Sequence, residues 1–297
     1  HNSHSRMARW LLSRLVFVLC PLVRSSSDRI IYFLHLHKAG GSYVCALAGK
    51  NGARHTPTDN CNVYVSAAGA QVARAMGHPC CGDTVAAQRS FAAKSSLTFV
   101  ANEFDLAPEM DVDSFVYVTQ LRPPLERYVS HFMHVSRAFS RSFDFDDWLL
   151  RQPDNWYLRK LCGRQCSEVP RGRLDQSHYE IAKGKLEKFE VVLLLEDHAG
   201  NNVLFEAVLG WMQHPESKVN AAPASQTVNG TQHKDALVER AKNKKFEDMV
   251  AWDALLYYYA EYLHYQQVGK ARSWQEYSER NKECTGPCCS TACSQYR

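Results

Sequence analysis

Several signals that would settle the class of this chain at once are missing from it. The spacing Gly-x-x-x-x-Gly-Lys-Ser/Thr does not occur, which excludes a Walker-type nucleotide loop. There is no internal repeat and no long low-complexity tract, so solenoid arrays and compositionally biased tails drop out. The charge excess is small, a formal +4, too little for a dedicated nucleic-acid binder. The cysteine spacings match no common structural zinc pattern. The apolar stretch from Arg9 to Val23 is short for a bilayer span.

What is present suits one large core. The chain has 297 residues, 45% of them hydrophobic, and one domain accommodates that. Residues 1–28, with a basic flank and an apolar stretch, read as a secretory signal or a short signal anchor. Cleavage near Ser25–Ser27 competes with retention in the membrane. Eleven cysteines fit an oxidising compartment. Cys20 lies in the targeting segment, and ten remain for the folded part, with disulfides expected and their connectivity open. Asn229-Gly230-Thr231 is a glycosylation acceptor triplet. The basic clusters, such as Arg159/Lys160/Arg164 and Lys183/Lys185/Lys188, read either as solvated helix faces or as a groove for an acidic glycan.

Four apolar runs, 30–37, 97–104, 115–121 and 190–196, read as buried parallel strands, being rich in β-branched and aromatic residues without strict alternation. Helical patterns are expected near 67–76, 124–139, 145–161, 175–188, 201–212 and 246–266. This alternation predicts right-handed βαβ units in a three-layer α/β domain, a central parallel sheet with helices on both faces. The domain is expected over 29–270, followed by a cysteine-rich tail at 271–297. Loops fall at 51–64, 77–84, 162–174 and 214–232. The last is long enough to act as a lid.

Two strand ends carry anion-binding chemistry. The first run leads into Lys38-Ala39-Gly40-Gly41-Ser42. Glycines let backbone N–H groups approach an anion, the following helix points its positive end there, and the lysine adds a full charge. The third run ends in Arg122, and Pro123-Pro124 opens a helix that contains Ser130. Two anion sites at neighbouring strand ends suggest a ligand with two separated phosphates.

These segments resemble a known family. Lys38–Ser42 is similar to the Lys-Thr-Gly-Gly-Thr loop of Golgi carbohydrate sulfotransferases of the heparan-sulfate 2-O/6-O type. Leu121-Arg122-Pro123-Pro124-Leu125-Glu126-Arg127-Tyr128-Val129-Ser130-His131 resembles that family's Leu-Arg-Asp-Pro-x-Glu-Arg-x-x-Ser-x-Tyr/His segment. Val191–Asp197 and Trp252–Tyr257 are also similar. The resemblance implies a P-loop-like sulfotransferase fold and PAPS (3′-phosphoadenosine 5′-phosphosulfate) as co-substrate, without a metal. It implies that Lys38, Ala39, Gly40, Gly41, Ser42 and Tyr43 hold the 5′-phosphosulfate and that Arg122 and Ser130 hold the 3′-phosphate. The late loop, with Asn220 and Gln226, would cover the nucleotide. The implied setting is the Golgi lumen, as a type II membrane protein or a cleaved, secreted form. The implied partner is a glycan or glycoprotein acceptor, not nucleic acid.

The departures matter. Ala39 lacks the family's hydroxyl but leaves the backbone cradle intact, and Pro123 replaces an aspartate. The family's base is a histidine at the end of the second strand, where this chain has Asn102-Glu103. Glu103 is the candidate general base, with a structural ion pair or a helix cap as the competing role. Lys38 is the candidate for neutralising the leaving phosphate oxygen. His35 and His37 read as core or supporting histidines, and His131 and His134 as one face of the Ser130 helix. A nucleotide-dependent kinase-like enzyme is a rival that needs a magnesium-binding carboxylate beside the anion loop. A catalytically degenerate glycan-binding module of the same fold is another.

Overall fold

The structure, a computed structural model, describes residues 29–57, 60–63, 84–138, 144–213, 234–242 and 244–282. Outside these lie the N-terminal segment 1–28, the helix expected at 67–76, Cys80 and Cys81, and the 214–232 loop with Asn220 and Gln226. The Asn229 triplet and the tail cysteines 284–293 lie outside them as well.

All four expected strands form: β1 (Ile30–Leu34), β2 (Phe99–Asn102), β3 (Phe115–Leu121) and β4 (Val191–Leu194). They make one parallel sheet in the order β2-β1-β3-β4. Leu34 lies level with Asn102 on one side and Thr119 on the other. The C-terminal strand ends therefore share one edge. The chain moves outward in opposite directions on the two sides of the β1–β3 pair, and open α/β sheets bind ligands at such a reversal.

Period-two alternation sends neighbouring residues to opposite faces, and both faces are buried. Tyr32, Leu34, Val100, Tyr117 and Leu194 belong to one core cluster. That cluster draws on α2 (Val85–Lys94), α5 (Trp156–Cys162) and α7 (Gln176–Leu186). Phe33, Phe99, Val116, Val118 and Leu193 form the other with α1 (Gly41–Lys50) and α8 (His198–Leu209). A third cluster joins α3 (Pro124–Ala138), α4 (Phe145–Leu150), α9 (234–241) and α10 (Lys244–Met249).

The differences from expectation have local causes. The single helix expected at 145–161 is two, α4 and α5, because Pro153 and left-handed Asn155 (φ 47°) interrupt it. The 162–174 loop contains a turn of helix, α6 (Arg164–Ser167), and α2 and α9 add helices not expected. The last helix, α11 (Ala251–Lys282), runs past the expected domain edge at 270. It also closes the sheet edge, where Gln267 Oε1 accepts from Val192 N–H at 2.8 Å and His264 Nδ1 bonds Val192 C=O at 2.8 Å. That covers an otherwise open strand. Among the described residues, no helix is long and apolar enough to cross a membrane.

Two cysteine pairs lie at disulfide distance, Cys45–Cys61 and Cys162–Cys166, with Cα separations of 5.8 and 5.7 Å. One group of metal-ligand type occurs among the described residues, Cys45, His55 and Cys61. Two of its members are the first pair.

α5 and α11 cap each other. Asp253 accepts from the N–H groups of Tyr157 (3.0 Å) and Leu158 (2.9 Å), and Asn155 Oδ1 accepts from Trp252 N–H (2.9 Å) and Asp253 N–H (3.2 Å). Complete burial raises the Asp253 carboxyl to about 6, against the pull of those two amides. A carboxyl raised on folding favours the native state while it is protonated. Its contribution is full below about pH 4 and fades as pH rises through about 6. In urea titrations, the stability of the native chain relative to Asp253→Asn should fall across that interval. A pH-independent difference would contradict the buried titration.

Candidate functional site

The first corner is built around two glycines. His35 N–H still bonds Asn102 C=O (2.8 Å), and Ala39 N–H then closes a turn onto Leu36 C=O (3.0 Å). Lys38 (φ 66°) and Gly40 (φ 87°) are both left-handed. A Cβ on Gly40 would lie 2.6 Å from both Gln120 Nε2 and Leu195 Cδ1, and one on Gly41 would lie 1.8 Å from the His35 ring. Gly41 is therefore where the helix accommodates a buried imidazole. Tyr43 N–H turns back to Gly40 C=O at 3.0 Å. Among the described residues, no backbone carbonyl takes the N–H of Gly40, Gly41 or Ser42. Those amides open the 10-residue helix α1, the geometry that suits an anion. Ser42 Oγ donates to Asn60 Oδ1 at 2.6 Å, and Tyr43 packs edge-on to His198.

The second corner follows β3. The Tyr157 hydroxyl donates to Arg122 C=O (2.9 Å) and accepts from Arg122 N–H (3.3 Å). This fixes the backbone where the strand turns into α3. Arg122 Nη2 donates to Glu126 Oε2 (2.9 Å), which also accepts from Lys234 Nζ (2.9 Å). Burial pushes the Glu126 carboxyl up, but the hydrogen bonds from Lys234 and Arg122 outweigh it and leave the group lowered. Guanidinium has five donors, so most of the Arg122 fork remains for a ligand. Ser130 is half-buried two turns into α3.

The two corners follow adjacent strands, β1 and β3. Burial lowers the Lys38 ammonium below its ordinary value, and the charges of Arg137 and Arg122 lower it further. Glu103 acts in the opposite direction on the same lysine. Glu103 and Arg122, the other two strand-end residues singled out in the sequence, are thus both within electrostatic reach of Lys38. Glu103 is about a quarter exposed, and its Oε1 lies 3.3 Å from His35 Nδ1. That nitrogen is also 3.3 Å from Asn62 Oδ1. Two acceptor oxygens beside one ring nitrogen select the Nδ1–H tautomer. Burial dominates the lowered His35 pKa, so the ring stays neutral despite Glu103 and Asn62.

Sequence reasoning did not single out Arg127 or Arg137. Arg127 is 1% exposed, its guanidinium 3.8 Å from the Tyr128 ring centre and 4.6 Å from that of Trp156. Cation–π contacts give about 2 kcal/mol each when desolvated, while burying the charge costs several. The interaction with the Asp253 carboxylate helps close the gap. His37 meets His131 edge-on at 4.8 Å and His134 at 6.0 Å. Burial first, then neighbouring cations, depress His37 to about 3 and His131 to about 4. These rings are uncharged at neutral pH. The wall behind Lys38 thus offers hydrogen bonds, and the positive charge there comes from Lys38, Arg122, Arg127 and Arg137. The sequence signal was the spacing of residues 127, 131 and 134 along one face of α3.

Comparison with protein-family models and with curated proteins gives no match to this chain.

Proposed function

We propose that this chain is a sulfotransferase that takes a sulfuryl group from PAPS and passes it to a hydroxyl of a carbohydrate acceptor, on a P-loop-like sulfotransferase fold. The observation that carries the reading is that Lys38 and Arg122 follow the C-terminal ends of adjacent parallel strands, β1 and β3, flanking the reversal of strand order, with Arg122 among the charges that lower the lysine. A doubly phosphorylated nucleotide suits two such corners. The amides of Gly40, Gly41 and Ser42 would hold the 5′-phosphate, and Arg122 with Ser130 the 3′-phosphate. The acceptor oxygen attacks sulfur in line, the bond from sulfur to the phosphate oxygen breaks, and the hydroxyl proton passes to Glu103. Lys38 neutralises the oxygen that leaves. Placement and charge stabilisation do most of the work in such transfers, and no metal is needed. The two cysteine pairs fit a route through the secretory lumen. There the acceptor would be a glycan or glycoprotein and residues 1–28 would supply targeting or a Golgi anchor.

Arg122→Ala tests the reading. A charge-assisted contact is worth about 1.5–3 kcal/mol. Affinity for adenosine 3′,5′-bisphosphate should therefore fall roughly 10- to 100-fold, with 5′-AMP changing little. Calorimetric titration of both nucleotides measures this. Equal losses, or thermal stabilisation by ATP with magnesium but not by the bisphosphate, would overturn the assignment.

A further inference from the structure

α11 has two unlike sides. Leu256, Ala260, His264, Val268 and Ala271 are buried against the body of the protein. Leu255, Tyr258, Tyr262 and Tyr265 are 49–66% exposed. At about 100° per residue these four share an arc of roughly 80°. Of the eight large apolar side chains exposed among the described residues, five lie on this helix, Trp274 being the fifth. Such concentration differs from ordinary scatter and marks an interaction surface.

The same arc continues into small residues. Gly269 has nothing within 4 Å of a Cβ position. With Ser273 it opens a groove of about 570 Å³ lined by Tyr265, Gln266, Gly269, Lys270, Ser273 and Trp274. Large side chains thus occupy the first half of the stripe and a hollow the second.

We infer that this face pairs with a second copy of the chain, the two α11 helices running antiparallel about a two-fold axis between Tyr265 and Gln266. That register sets Tyr262 of each copy over Gly269 of the other, and Tyr258 over Ser273. A parallel pair would set bulk on bulk and hollow on hollow. The surface is its own complement, as an isologous contact requires. Charge agrees with the register. Glu261 lies four residues before Tyr265 and Arg272 seven after, on the same flank of the stripe. In the antiparallel pair they come within about 3 Å along the axis, at two symmetric places. Taking roughly 200 Å² for a whole aromatic side chain, the exposed stripe offers about 500 Å² per copy. The pair buries on the order of 1,000 Å² before its polar rim is counted, the threshold for a specific contact.

Charge reversal tests the pairing on the full chain by sedimentation velocity or light scattering at micromolar concentration. The unaltered chain should be a dimer. Glu261→Arg and Arg272→Glu should each weaken the dimer at least tenfold, because each sets like charges together twice, while each variant keeps the native far-UV circular dichroism spectrum. Mixing the two variants should restore a dimer containing one chain of each, since both symmetric pairs are then complementary. A monomeric native chain would overturn the inference, as it would if a glycan chain, a lipid surface or another segment of the protein covered the stripe. A dimer indifferent to both reversals, or one that mixing fails to restore, would also overturn it.

Discussion

Lys38→Ala is expected to lower sulfuryl transfer from PAPS by about 10³-fold, the size of loss seen when a charge-stabilising donor is removed from a reacting centre. The fold should not suffer. Lys38 takes a left-handed conformation, φ 66°, which alanine tolerates no better and no worse than lysine. Glycine at this position should behave differently. A left-handed non-glycine residue costs about 1–2 kcal/mol, and glycine's larger unfolded-state freedom costs about 0.5–1. Lys38→Gly should therefore stabilise the chain by roughly 0.5–1 kcal/mol while losing activity as Lys38→Ala does. Denaturant titration and transfer of labelled sulfate to a glycan pool measure the two effects. An active alanine variant would remove the lysine from the chemistry. A destabilised glycine variant would show that the ammonium, half-buried among Arg122, Arg137 and Glu103, holds the loop as well.

Gly41→Ala should be among the most damaging single-methyl additions to the domain. The new Cβ would sit 1.8 Å from the His35 ring. His35 cannot move aside easily, because Phe33 stacks on it and Asn62 and Glu103 flank its Nδ1. Overpacking usually costs about 1–3 kcal/mol, and a ring wedged between a strand and a helix belongs at the upper end. Displacing it also frees Glu103 and tilts the amides of the anion cradle, so nucleotide binding should fall together with stability. The double variant His35→Ala/Gly41→Ala should recover part of the loss, giving a favourable coupling of about 1 kcal/mol or more. Strict additivity in urea titrations would mean that the loop gives way elsewhere.

The sheet was legible because its strands are continuous apolar runs. Val191–Leu194 and Phe115–Leu121 are buried at every position and match the expected segments to within a few residues. Strand ends were overextended where hydrophobicity continues but pairing stops. Leu36 is buried in the turn after β1, outside the strand. The break between α4 and α5 depends on Asn155, whose left-handed backbone and capping of α11 join residues almost a hundred positions apart. No local pattern reports that. The two strand-to-helix corners stood out because glycine, proline and charge sit together at strand ends. The buried Arg127 was not, since an arginine on a polar-looking helix reads as solvated until Tyr128 and Trp156 are seen to enclose it. The tie between Glu103 and His35 joins two strand ends, and it follows from the β1–β2 register.

The mutual capping of α5 and α11 has a consequence for how the protein is made. Tyr157, which clamps the backbone of Arg122, stands at the start of α5, and that start is held by Asp253. On the ribosome β1, the glycine loop, β2 and β3 emerge before α5, with Arg122 directly after β3. Its corner reaches final form only once the residues around 253 have been released. The corner after β3 is thus among the last parts of the domain to be completed, by residues from the C-terminal third of the chain.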